Sequence, residues 1–171
     1  MTEEKPAASA PVDDDVDYAG RPFGYLEPGS KTAMVCEQDA SIREKISAQF
    51  KTNNFVVMEP PTFKEALQHM RYNTFDVIVL DEDFDAGTGG GNNFLNHITG
   101  LPMNIRRKTC VALLSSTLDT MDNMRAYNKS VNFIINKSGV DNAASILKRG
   151  IADNDEFYHE FKEAIRKSGK A

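Results

Sequence analysis

The chain has no tryptophan, only two cysteines and no apolar run of membrane-spanning length. Each scarcity excludes something. Cys36 and Cys110 each sit inside an apolar run, with no Cys-x-x-Cys or Cys/His spacing, so neither a disulfide framework nor a structural zinc site is expected. No basic-then-apolar pattern of a secretory signal opens the sequence, and no bilayer-length segment follows. The expected setting is a reducing cytoplasm, with no membrane. Positive charge is also missing as a block. Seven of the 25 acids but only two of the 20 bases fall in residues 1–30, so residues 31–171 carry equal numbers of each. That balance gives no electrostatic footprint for nucleic acid.

The 171 residues, 40% apolar and 26% charged, suit one soluble domain with appendages. Residues 1–24 combine Pro6, Pro11 and Pro22 with an acidic run and no apolar periodicity, which reads as a disordered tail. Gly24 to Ser30 forms a turn-rich lead-in, so residues 1–30 stand apart from a domain spanning 31–171.

From Lys31 onward, apolar runs of strand length alternate with amphipathic segments of helix length. Strands are expected at Thr32 to Cys36, Phe55 to Met58, Val77 to Leu80, Cys110 to Leu114 and Phe133 to Ile135. Ile42, Ile46 and Phe50 mark one helix face, capped by Ser41 or Asp39, and Phe63, Ala66, Leu67 and Met70 mark another. A short helix is expected around Phe94 to Ile98, and one further on carries Met121, Met124 and Tyr127, with the methionines in the core. The C-terminal region divides into two helical stretches within 141–168, roughly 141–150 and 154–168. Gly150 and Asp153-Asn154-Asp155 supply the break. Five alternations with connections too long for hairpins predict an α/β fold, a doubly wound parallel sheet covered on both faces.

Ligands of open parallel sheets bind outside the carboxyl ends of the strands. Those ends carry Glu37-Gln38-Asp39, Asp81, Ser115 and Asn136-Lys137. Acids there can hold magnesium, which prefers oxygen ligands. A central aspartate can be a nucleophile toward a phosphoryl group, and a hydroxyl and an ammonium can bind the oxygens of the transferred group. The histidines at 69, 97 and 159 lack metal spacing. The glycine run 87–91 lacks the Lys-Ser/Thr of a phosphate loop, so it reads as a flexible connection.

These strand-end residues resemble the receiver family of two-component signalling over about residues 31–138. Val35-Cys36-Glu37-Gln38-Asp39 resembles its first strand and acidic pair, and Phe75-Asp76-Val77-Ile78-Val79-Leu80-Asp81 its third strand ending in the phosphoacceptor. Leu114-Ser115-Ser116 and Ile135-Asn136-Lys137 match the steps after strands four and five.

The resemblance implies the flavodoxin-like strand order 2-1-3-4-5 and a response-regulator function without classical enzyme activity. Asp81 would accept a phosphoryl group from a histidine kinase or other phosphodonor protein. Ser115 and Lys137 would contact that group, and Glu37, Asp81 and the backbone carbonyl of Asp83 would hold Mg2+. No segment after residue 138 reads as a DNA-binding or enzymatic output domain. Output is therefore expected through contact with another protein, at the face of the fifth strand and its two flanking helices.

Three departures bear on this reading: Gln38 replaces one carboxylate of the acidic pair, Ser138 stands where a proline is usual, and the loop after Asp81 is acidic and glycine-rich. They keep open a pseudo-receiver, a constitutive interaction module that is never phosphorylated. A flavin-binding electron carrier on the same topology would need a Ser/Thr-rich loop after strand one, which Glu37 to Ser41 does not supply.

Overall fold

In the computed structural model, residue 26 and residues 29–87 and 93–169 are described. The tail expected over 1–24 and most of the glycine run lie outside them. Five strands form one parallel sheet: β1 (Lys31–Cys36), β2 (Phe55–Met58), β3 (Val77–Asp81), β4 (Cys110–Ser115) and β5 (Phe133–Asn136), in the order β2-β1-β3-β4-β5. Register pairs Cys36 with Leu80, Asp81 with Leu114, and Ser115 with Asn136, so the strands end close to one line.

The near-continuous apolar runs arise because β1, β3 and β4 are buried on both faces. Side chains alternate. Val35, Val79, Ala112, Leu114 and Ile135 face Ile46 and Phe50 of α1 (Ala40–Thr52) and Leu147 of α6 (Ala143–Phe157). Met34, Ile78, Leu80, Leu113 and Ile134 face Ala66 of α2 (Phe63–Tyr72), Phe94 and Ile98 of α3 (Asn93–Thr99), and Ala126 of α5 (Asn123–Lys129).

Local chemistry sets the helix ends. Asp39 caps α1, accepting from the Ser41 and Ile42 amides, while the Thr62 hydroxyl accepts from the Glu65 amide at the start of α2. A four-residue helix, α4 (Met103–Arg106), was not expected from the sequence.

Two expectations need correction. The C-terminus does contain two helices, but α6 runs through Gly150 and Asp153-Asn154-Asp155, and the break falls at Tyr158 before α7 (His159–Lys167). Gly150 is a packing residue: a Cβ there would lie 2.5 Å from the Phe133 ring. Asn154 is held inside the helix by accepting from the Asn132 side-chain amide at 2.8 Å. The methionines separate too. Met121, at φ 61° just before α5, packs on the core, whereas Met124 is 72% exposed.

Candidate functional site

The carboxyl ends of β1, β3, β4 and β5 bring the expected residues to one rim. Asp81 is the last residue of β3 and Ser115 the last of β4. Glu37 and Lys137 each follow directly on β1 and β5. Glu37 and Asp81 are buried at 3% and 4% exposure. The Lys137 ammonium lies 2.8 Å from Asp81 Oδ1 and 3.2 Å from Glu37 Oε2, bridging both carboxylates. Burial pulls the Lys137 pKa down, but the hydrogen bonds and charges of Asp81 and Glu37 outweigh it, and the net shift is upward.

Backbone groups around the rim hold these side chains in place. Glu37 Oε1 accepts the Asp39 amide at 2.9 Å, and Arg43 donates to the carbonyls of Glu37 and Gln38. Asp39, the nearest candidate to make up for Gln38, is committed to capping α1 and is exposed, as is Gln38. The carboxylates that converge are therefore Glu37 and Asp81.

Asp83 is exposed, and its carbonyl accepts the Ala86 amide at 3.2 Å. The loop turns here because Phe84 is buried against Phe94, with ring centroids 6.3 Å apart, and Asp85 accepts the Phe63 amide at the start of α2. Among the described residues, no group of three or more His, Cys, Asp or Glu is placed to hold a metal. Two buried carboxylates on one point do suit a hard cation that keeps its own waters. Magnesium is commonly held by one or two carboxylates and completed by substrate phosphate.

Ser115 is half of a pair that the sequence reading missed. Its hydroxyl donates to Glu82 Oε1 at 2.8 Å and accepts the amides of Thr117 and Leu118. The Ser116 amide reaches the same Glu82 oxygen at 3.3 Å. Glu82 gets there because its own amide donates to the Leu114 carbonyl, extending the β3–β4 ladder one residue past Asp81. An acid directly after a central strand was visible in the sequence; its partner on β4 was not.

Asn136, noted at the end of strand five, has a capping role that the sequence did not show. Its side chain donates to the Leu118 carbonyl and accepts from both the amide and the hydroxyl of Ser138, starting the 3-10 turn over Lys137–Asn142. A side-chain cap thus restrains the backbone next to Lys137 where a proline was absent.

No family model matches the sequence, and none of the curated proteins searched matches it significantly. Solved structures do match. Over 72% of this chain and 98% of theirs, a receiver domain of a Francisella response regulator superimposes with TM-score 0.56 and a response regulator of Thermotoga maritima with TM-score 0.55, each at 22% identity. A chemotaxis response regulator of Vibrio cholerae does so at 16% identity and TM-score 0.57, over 71% of this chain and 98% of that one. The fold is that of the response-regulator receiver, with sheet order 2-1-3-4-5 and extra C-terminal helix. Among the described residues, no helix is long and apolar enough to cross a membrane.

Proposed function

We propose that this chain is a receiver that accepts a phosphoryl group on Asp81 and signals by protein contact, rather than turning over a small-molecule substrate. The observation that carries the reading is the buried Asp81 carboxylate at the end of the central strand, with Lys137 Nζ 2.8 Å away. In the transfer, a carboxylate oxygen of Asp81 attacks phosphorus and the bond from phosphorus to the donor's histidine nitrogen breaks. The electron pair stays on the imidazole, and an acyl phosphate forms on Asp81.

Lys137 offsets the negative charge gathered on the phosphoryl oxygens, and its raised pKa keeps it cationic throughout the neutral range. Magnesium, held by Glu37, Asp81 and the Asp83 carbonyl, would supply further charge neutralisation on those oxygens. The neutral amide of Gln38, standing where a carboxylate is usual, should leave that ion weakly held. A histidine kinase or other phosphodonor protein is the proposed partner. Two buried free thiols fit a reducing, cytoplasmic setting.

The test is intact-mass analysis after incubation with acetyl phosphate, with and without magnesium. Wild type should gain one phosphoryl group only with the divalent cation, and Asp81→Asn should gain none. Labelling that survives in Asp81→Asn moves the site elsewhere. A second reading, the pseudo-receiver, draws on Lys137 already bridging both carboxylates and on Ser115 being held by Glu82. Absence of labelling in wild type under all these conditions favours it.

A further inference from the structure

Ser115 and Ser116 present the hydrogen-bond donors at the end of β4, beside the strand whose end carries Asp81. Both are engaged. The Ser115 hydroxyl donates to Glu82 Oε1 at 2.8 Å and the Ser116 amide to the same oxygen at 3.3 Å. The Thr117 and Leu118 amides donate to Ser115 Oγ, at 3.1 and 3.0 Å, so the hydroxyl's one proton is directed at Glu82. A carboxylate oxygen gathering a hydroxyl and an amide is bound as a phosphoryl oxygen would be, by charge-assisted hydrogen bonds.

We infer that Glu82 is a positioning residue, an internal anion that occupies the Ser115 and Ser116 donors and must be displaced before they can serve a phosphoryl group on Asp81. The inference rests on the receiver reading and adds to it a named brake. Glu82 opposes phosphorylation in two ways. It holds the donors, and it places a negative charge beside a site that must accept more negative charge. Release is feasible because Glu82 is only half-buried and can turn into water, whereas Asp81 cannot. No covalent change occurs at Ser115 or Glu82; one hydrogen-bond acceptor is exchanged for another.

The experiment measures the initial rate of labelling by acetyl phosphate, with magnesium, in the full chain. Wild type, Glu82→Ala, Glu82→Gln, Ser115→Ala and the double variant Glu82→Ala/Ser115→Ala are compared, with thermal melting confirming that each folds. Glu82→Ala should label about tenfold faster than wild type, the scale of one hydrogen bond to a charged group. Glu82→Gln, which loses the charge but keeps an acceptor of the same length, should fall between. In the Ser115→Ala background the gain from Glu82→Ala should shrink, because the donor that Glu82 withheld is gone.

Labelling of Glu82→Ala at or below the wild-type rate overturns the inference and leaves the receiver reading standing. A gain of equal size with and without the Ser115 hydroxyl overturns it as well, reducing Glu82 to a simple charge. If no variant labels, the receiver reading and the inference fall together.

Discussion

Lys137 Nζ sits 2.8 Å from Asp81 Oδ1 although β4 lies between the strands that carry them. The lysine reaches across the end of β4, and this is what joins three strand ends into one electrostatic unit with Glu37.

Removing that cation leaves two buried carboxylates facing each other. Lys137→Met should destabilise the fold by about 2 kcal/mol, below the cost of breaking a fully buried pair because the lysine is partly exposed. The pH dependence has a definite sign. The folded-state pKa lies above the ordinary lysine value of 10.5, so the stabilisation is complete below 10.5 and is lost as pH rises through the folded value. Urea midpoints of wild type and Lys137→Met should converge toward high alkaline pH, with the difference between them isolating this residue from the other lysines.

Gln38→Asp should strengthen divalent-cation binding. It returns a carboxylate next to Glu37, and hard cations respond to the number of charged oxygens. Isothermal titration with magnesium should show affinity rising by about tenfold, equivalent to roughly 1.4 kcal/mol. Unchanged affinity would mean that the exposed side chain at 38 does not reach the Glu37–Asp81 pair.

Gly150→Ala tests tertiary packing against helix propensity. Alanine favours a helix over glycine by up to about 1 kcal/mol. A Cβ 2.5 Å from the Phe133 ring, however, forces that buried side chain to shift. Overpacking costs about 1–3 kcal/mol, so the variant should unfold at lower temperature than wild type. Phe133→Leu in the same chain should recover part of the loss; a gain in stability from Gly150→Ala alone would contradict this packing.

The cysteines report global opening. Both are buried free thiols; burial raises the Cys36 pKa well above its ordinary value and pushes Cys110 to about 12. The thiolate is the reactive form. Iodoacetamide at neutral pH should leave both unmodified in the folded chain, and both should alkylate together once denaturant unfolds it. Mass spectrometry of pulse-labelled protein reads this directly. Early modification of one cysteine alone would reveal local opening of its strand.

The alternation of apolar strand runs and amphipathic helix faces was legible because each is a local period. Val77 to Leu80 reads as a strand buried on both faces wherever it is placed. Asp81, Ser115 and Lys137 stood out because each ends or directly follows such a run, and parallel strands share one carboxyl rim. Strand order entered through family resemblance, since periodicity says nothing of which strand lies beside which.

Only the tertiary structure decided what depends on distant neighbours. Gly150 looked like a helix end until the Phe133 ring filled its missing side chain. Met124 shared its spacing with Met121, yet α5 turns it to solvent and keeps Ala126 inward. Asp39 went to a helix cap, leaving Glu37 and Asp81 to share Lys137. Glu82 met Ser115, 33 residues away, because the β3–β4 register sets Asp81 opposite Leu114. Local sequence determines the period of burial along each element. The partner of each polar group is set by the register between elements, which only the packed sheet defines.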